Sequence, residues 1–320
     1  MGTIHLFKLF GVWVDAHHIL LALSMALCLY LSLRAMARQG AKKQQLCLFA
    51  GLSLLLGFFC AHLFYCLMNF SATIHDHSWL SFLQFWAGNG QYMLYGGAVG
   101  VALALLISAG RASFAKLADA IAPFGLLMIA LCRLAQGLAG EGYGDYLEEE
   151  SPLAFFPLAV FDDYYQEWAW ALFLLAALMA LIFFVWVLKT RSRFAGDKAL
   201  LALGLYASAQ IILETLRRDQ FLRWGFVRCS QLFSAIAVLA VLALYCHKAK
   251  DAGWPKRLPM LIGFLLAVIV CFVMEFAAEQ RIAALTFLSR TACYWVSTCG
   301  CCAIALCILL MRRLCPKEKQ

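Results

Sequence analysis

Nine stretches of about twenty residues run through this chain almost without charge, and that pattern decides which solvent it can fold in. A hydrocarbon core ~30 Å thick is crossed by ~20 helical residues. Windows of that length lie at 17–36, 45–68, 91–109, 117–138, 167–188, 198–215, 229–247, 258–278 and 289–311. The sixth is the weakest, because Gln210 and Glu214 interrupt it. Composition agrees: 14% of residues are charged and 64% apolar, where a soluble chain carries about a quarter charged, and mean hydropathy is +0.81. The expected fold is an all-α polytopic membrane protein of about nine transmembrane helices.

The net charge of +8 is placed by topology, so it is not read as a nucleic-acid footprint. Cations gather in alternate loops: Arg34, Arg38, Lys42 and Lys43; Arg111 and Lys116; Lys189, Arg191, Arg193 and Lys198; Lys248, Lys250, Lys256 and Arg257; Arg312, Arg313, Lys317 and Lys319. The positive-inside rule assigns those loops to the cytoplasm. The N-terminus is then outside and the C-terminus cytoplasmic, which needs an odd number of spans. No basic n-region with a cleavage site precedes the first window, which is expected to be the export signal itself.

The fourteen cysteines fall mostly inside apolar windows and do not read as a disulfide framework. Cys299, Cys301 and Cys302 sit too close on one helix to aim at a single ion, and no metal is expected. No repeat or soluble domain is visible. The segment 139–166 is acidic at Glu141, Asp145, Glu148, Glu149, Glu150, Asp162 and Asp163, which reads first as a solvated loop face. Between windows six and seven, Arg217, Arg218, Arg223 and Arg228 place four cations on the face expected to be poor in them. Two readings stand open there: an anionic ligand such as a phospholipid phosphate, or pairing with the acidic segment.

An arginine at a span centre costs about 2.5–3.5 kcal/mol on insertion scales, so it faces a partner or a wet cavity. Arg133 is such a residue, and Gln136, Gly137, Gly140, Glu141, Gly142, Tyr143 and Gly144 follow it. Glu214 lies near the outer end of window six, one turn after Gln210. A structural Arg133–Glu214 pair and a shared polar pocket at the outer leaflet are both compatible with this. Asp15, His17, His18, His62 and Tyr95 are further polar groups along the spans, and His62 reads as a helix-packing residue. Gly96, Gly97 and Gly100 allow close helix contact.

These residues carry a resemblance to the prolipoprotein diacylglyceryl transferase family. The most specific stretch is Asp119-Ala-Ile-Ala-Pro123 ahead of Arg133, followed by Gly140-Glu141-Gly142-Tyr143-Gly144. It is similar to that family's signature, an aspartate and proline leading into Gly-Arg-x-Gly-Asn-x-x-Asn-Gly-Glu-x-x-Gly. Trp86, Gly96 to Gly100, Phe156-Pro157, Gln166, Gly196-Asp197, Tyr206, Glu214 with Arg217, and Gly225 ahead of Ser230-Gln231-Leu232 match in order, over about residues 12–248. There are departures. The family's His-Gly-Gly is Tyr95-Gly96-Gly97, the asparagine three after the signature arginine is Gln136, and the arginine four before the family's glutamate is Gln210. His17, His18 and Ile19 stand where a span-one tyrosine is expected. The resemblance divides the chain into a seven-span family-like membrane domain, 1–257, and two additional helices with a short basic tail, 258–320.

The resemblance implies a transferase of the bacterial plasma membrane. It would move a diacylglyceryl group from phosphatidylglycerol to the lipobox cysteine of a prolipoprotein signal peptide at the outer leaflet, without a cofactor and without nucleic acid. A degenerate homologue that binds phospholipid or lipoprotein without transfer is the alternative. Arg133, Glu141, Glu214, Tyr95, His17 and His18 are the implied catalytic set. Arg133, Gln136, Gly140, Gly144, Gln210, Arg217 and Arg218 are the implied phospholipid contacts, with Arg217 replacing the charge absent at Gln210. An unperturbed phenol has a pKa of about 10, so Tyr95 is a poor base, and His17, His18 or solvent would take the thiol proton.

Overall fold

The computed structural model describes residues 5–9, 12–70, 73, 82–83, 85, 92–147, 151–163, 165–218, 222–224 and 227–317. Trp86, Glu148, Glu149, Glu150, Gly225 and Lys319, singled out above, lie outside the described residues. Among those described, eight long helices make the fold: α1 (Ala16–Arg38), α2 (Lys43–Met68), α3 (Leu94–Leu138), α4 (Leu172–Lys189), α5 (Asp197–Thr215), α6 (Cys229–Lys248), α7 (Trp254–Ala278) and α8 (Arg290–Leu314). Hydrocarbon offers the backbone no hydrogen-bond partner, so a lipid-facing segment must satisfy its own N–H and C=O groups, and the helix does so. Seven of the eight are long and apolar enough to cross a membrane by length and composition. The exception is α5, the window that Gln210 and Glu214 interrupt.

Helix α3 covers two of the sequence windows. Unbroken, its 45 residues would extend ~68 Å at 1.5 Å per residue, about twice a hydrocarbon core. Gly110 interrupts it with φ 70° and ψ 166°, a conformation that only glycine adopts readily. Tyr95 near the start of α3 and Arg133 near its end line the same cavity, so the chain doubles back at Gly110 and each arm answers to one window. One window begins too early. Residues 167–170 are a strand, and α4 starts at Leu172.

Among the described residues, three short antiparallel hairpins decorate the helix ends: β1 (His5–Leu9) with β2 (Val12–Asp15), β3 (Ala159–Asp162) with β4 (Glu167–Trp170), and β5 (Arg223–Trp224) with β6 (Val227–Arg228). The second pairs Ala159 with Trp170 and Asp162 with Glu167. It gives the acidic segment an ordered edge beside the end of α3.

Small residues bring the first helices together. A Cβ on Gly96 would stand 2.9 Å from the Ala61 Cα, and one on Gly100 would stand 2.9 Å from the Gly57 Cα. Without side chains at those points α2 and α3 pack backbone to backbone, as small-residue seams do in membranes. His62, on the same seam, is 2% exposed and lies 3.3 Å from the Cys66 sulfur. All fourteen cysteines are free, and Cys301 is buried while Cys299 and Cys302 are exposed, so Cys301 faces away from the other two.

The last two helices share a core with the rest: Val241 and Tyr245 of α6, Phe264 and Ala267 of α7, and Ile304, Ile308 and Met311 of α8 belong to one cluster. The boundary placed at 257/258 falls one turn inside α7. At the start of α5, Asp197 is fully buried. It accepts from Arg312 Nε and Nη2 at 2.8 and 2.7 Å, from Tyr245 at 3.0 Å and from the Arg193 amide at 2.8 Å. Asp119 nearby accepts from Ser192 and from the Gly196 and Ala199 amides, tying α3 to the turn before α5.

Removing one partner of a buried ion pair leaves the other uncompensated and costs about 3–5 kcal/mol, whereas an apolar replacement of both is often tolerated. Asp197→Ala is therefore expected to lower the unfolding temperature in detergent markedly, and Asp197→Ala with Arg312→Met is expected to recover part of the loss. Additive losses in the double variant would contradict this account of the pair.

Candidate functional site

At the opposite end of α5 from Asp197, polar side chains converge on a cavity of about 830 Å³. Its wall includes Tyr95, Arg133, Gln136, Gly140 and Glu141 from α3 and the turn after it. Gln210, Glu214, Arg217 and Arg218 come from α5 and its exit. Residues separated by more than a hundred positions thus meet, because both arms of α3 and the end of α5 finish at one level.

Helical spacing organises the centre. Gln210 and Glu214 lie on one face of α5, 1% and 3% exposed, opposite Arg133 at 8%. Arg133 Nη1 donates to Gln136 Oε1 at 2.9 Å, and its Nη2 donates to the Tyr206 hydroxyl and to Gln210 Oε1, both at 3.1 Å. The Gln210 amide donates in turn to Glu214 Oε1. Arg217 Nη1 reaches the same oxygen at 3.2 Å, and Arg133 Nη2 stands 3.9 Å from it. One carboxylate oxygen is the shared acceptor of the cluster, and the structural pair and the common pocket are one arrangement. A guanidinium has five N–H donors. Arg133 lines the cavity and uses three on these neighbours, which leaves two.

The four arginines after α5 have separate partners. Arg217 meets Glu214, and Arg218 lies 3.6 Å over the Tyr146 ring and 5.0 Å from that of Tyr165. Arg223 pairs with Glu279 at 3.1 Å, and Arg228 Nη2 donates to the Arg217 carbonyl at 2.5 Å. The contact with the acidic segment is thus made through aromatic faces for Arg218, and the acid that meets Arg223 comes from α7. Gly144 forms a bridge with Arg217, and the Arg218 amide donates to the Tyr143 carbonyl at 3.2 Å. Those two backbone contacts fix the start of the loop that carries both arginines against the turn after α3.

Tyr95, which stands where the family's pattern has a histidine, has its hydroxyl 2.6 Å from the Ser234 hydroxyl of α6. Its ring stacks on Phe233 at 6.0 Å. His17 and His18 are not on the cavity wall. They stand with Asp15 at the start of α1, where three ligand-type atoms lie within 4.8 Å of one another. The Asp15 amide donates to His18 Nδ1 at 3.3 Å, so this group caps the helix.

Sequence reasoning passed over Ser234, Tyr146 and Tyr165, which sit in no motif and matter only through what folds against them. It named Tyr143 without giving it a role. Its hydroxyl is buried on the cavity side with no hydrogen-bond partner among the described residues. Burial, with Asp162 and Asp163 nearby, pushes that phenol above its ordinary pKa, so it stays a neutral donor.

Comparison with known proteins points one way. The family described as prolipoprotein diacylglyceryl transferase matches residues 5–247. A phosphatidylglycerol–prolipoprotein diacylglyceryl transferase of Clostridioides difficile strain 630 is 23% identical over 246 residues, covering 76% of this chain and 94% of the relative. The protein of the same name from Bacillus licheniformis is 25% identical over 262 residues, covering 78% and 94%.

Glu214 and Arg218 should separate in their effect on folding. Glu214→Ala leaves two buried guanidinium groups without their shared acceptor and is expected to destabilise by about 3–5 kcal/mol. Arg218→Ala removes stacking worth about 0.5–1 kcal/mol at an exposed site and should melt close to the parent. Thermal unfolding in detergent reads both, and equal shifts would show that Glu214 does not hold the cluster.

Proposed function

We propose, from the premise that this chain belongs to the prolipoprotein diacylglyceryl transferase family, that it transfers a diacylglyceryl group from phosphatidylglycerol to a lipobox cysteine of a prolipoprotein. Its place is the bacterial plasma membrane, which its apolar helices cross several times. The observation that carries the reading is Arg133: buried at the cavity wall, held by Gln136, Tyr206 and Gln210, with two N–H donors left for a ligand.

In this reaction the cysteine sulfur attacks the glyceryl carbon that bears the phosphate, a C–S bond forms as the C–O bond breaks, and glycerol 1-phosphate departs with the bonding pair. The wall carries Arg133, Arg217 and Arg218 against Glu141, Asp162 and Glu214, so its formal charge is balanced. Stabilisation of the departing phosphate then rests on oriented donors that need no reorganisation as charge develops. Arg133 and Arg217 supply those donors, Glu214 holds both in place, and Gln136 and Tyr143 offer hydrogen bonds to the headgroup. Glu141, exposed on the wall, is the carboxylate assigned to the thiol proton in this reading. His17 and His18, implied for that step by the resemblance, stand away from the wall.

A second reading has its own observation. No histidine lies on the cavity wall among the described residues, and Tyr95 is engaged with Ser234. A protein that binds phospholipid or lipoprotein without transfer fits that feature. Mass spectrometry of a lipobox peptide incubated with purified protein and phosphatidylglycerol separates the two. The transferase reading expects a mass gain of one diacylglyceryl group, abolished by Arg133→Ala or Glu141→Ala at normal membrane yield. It also expects about a tenfold or greater loss, ~1.4 kcal/mol of transition-state stabilisation, in Arg217→Gln or Arg218→Gln. Wild-type protein that binds the lipid and leaves the peptide unmodified would establish the binder instead.

The cavity is assigned to the outer leaflet because the cation-rich loops lie at the other helix ends. Engineered cysteines at Lys43, Lys116 and Lys250 should resist an impermeant thiol reagent in intact cells, while Asp163→Cys should label. Cys315 is 3% exposed and therefore silent in such an assay. The reverse labelling pattern would invert the orientation.

A further inference from the structure

The family match ends at residue 247, before α7 and α8 begin. The first of them nevertheless reaches the cavity wall through a run of hydrogen bonds. Glu275 Oε2 of α7 accepts from the Thr215 hydroxyl at 2.9 Å, and Thr215 accepts from Gln231 Nε2 at 2.8 Å. The other end of that amide, Gln231 Oε1, accepts from the Arg228 amide at 3.0 Å. Arg228 Nη2 donates to the Arg217 carbonyl at 2.5 Å, and Arg217 Nη1 meets Glu214 at 3.2 Å. A turn later, at the C-cap of α7, Glu279 pairs with Arg223 at 3.1 Å. Glu275 of α7 and Glu279 at its end thus hold the segment that carries the cavity arginines.

We propose that Glu275 is a positioning residue for Arg217, so that the C-terminal helix pair is a working part of the site. The proposal rests on the transferase reading only for the activity through which it is most easily measured. Thr215 is the last residue of α5 and stands two positions before Arg217. Its hydroxyl hydrogen has two acceptors, the Ile211 carbonyl at 3.1 Å within its own helix and Glu275 at 2.9 Å across the interface. The contact with Glu275 is the shorter of the two and the one that crosses the interface, so Glu275 draws the end of α5 toward α7. Arg228, 4% exposed, closes the arrangement by clamping the Arg217 backbone from the far side of the turn. Charge supports the same assignment: Arg223 lies on a face expected to be poor in cations, and α7 brings the acid that meets it. Asp197 and Arg312 anchor the same helix pair at the other end of α5. Glu275 therefore acts from a fixed support.

The test is a double-mutant cycle between Glu275→Ala and Arg217→Gln in the full-length protein, reading both turnover of the lipobox peptide and binding of phosphatidylglycerol in nanodiscs of phosphatidylcholine. If Glu275 acts through Arg217, each single variant loses about tenfold in kcat/KM and the double variant loses little more, since residues in one network are not additive. Glu275→Gln, which keeps an acceptor for Thr215, should recover most of the loss. Losses that multiply, or a Glu275→Ala protein equal to the parent in both readouts, overturn the proposal. Should Glu275→Ala not be recovered folded, Thr215→Val removes the same link and enters the cycle in its place. A wild-type protein without turnover would sink the transferase reading alone; coupling between the two positions in lipid binding would still support the positioning role, and independence in binding would overturn it.

Discussion

A single buried carboxylate oxygen organises the functional end of this protein. Glu214, 3% exposed in the least apolar of the long helices, would be costly to bury alone, because desolvation of an isolated carboxylate costs several kcal/mol. It is compensated by Arg217 just past the end of its helix, by Gln210 one turn before it, and through Gln210 by Arg133 of α3. The arginines are equally dependent on it. Each partner therefore fixes the others, and the helices that carry them must keep their register. The weak apolarity of α5 is the physical cost of that arrangement, and its burial among other helices is what makes the cost tolerable.

Much of this could be read from the chain, and the reason is the solvent. In hydrocarbon a helix is the only open backbone that satisfies itself, so apolar length alone locates α1, α2, α4, α6, α7 and α8 to within a few residues. The two arms of α3 were legible as separate windows. The reversal between them was expected in the 110–116 interval with Arg111 and Lys116; what was not legible is that Gly110 alone makes it, because the residues after it are helical again at once. The strand at residues 167–170 was missed for a related reason: Trp168, Ala169 and Trp170 are as apolar as the helix they precede, and it is pairing with residues 159–162 that makes them a strand.

The site was legible as a set of residue types and not as a set of contacts. Arg133, Gln136, Gln210 and Glu214 announce themselves because a polar group at membrane depth requires a partner. Which partner is another matter. The four arginines after α5 left an anionic ligand and the acidic segment both open, and the structure divides them among Glu214, two tyrosine rings, Glu279 and a backbone carbonyl. Nothing local in the sequence ties Arg223 to Glu279 or Asp197 to Arg312, since neither pair has a helical or strand spacing. The placement of His17 and His18 away from the cavity likewise depends on how α1 meets the rest of the bundle.

The departures from the family pattern acquire a physical meaning once the contacts are known. Where an arginine would stand four residues before Glu214, Gln210 stands instead, and it uses both ends of its amide: the oxygen takes a hydrogen from Arg133 and the nitrogen gives one to Glu214. A cation at that position would turn the 3.1 Å contact with Arg133 into one between like charges, which the amide avoids. The charge forgone at Gln210 is present about two turns further on, just past the end of α5, at Arg217, whose backbone is clamped by Arg228 and whose preceding helix end is drawn toward α7 by Glu275. Tyr95 follows the same logic at the other wall. A phenol hydrogen-bonded to Ser234 retains a polar group beside the cavity while giving up the titratable imidazole, so any proton transfer here must pass to a carboxylate or to water. The chain has kept the geometry that presents guanidinium donors to a cavity while redistributing which residues supply the charge, and the helices beyond residue 247 contribute the acids that make the redistribution stable.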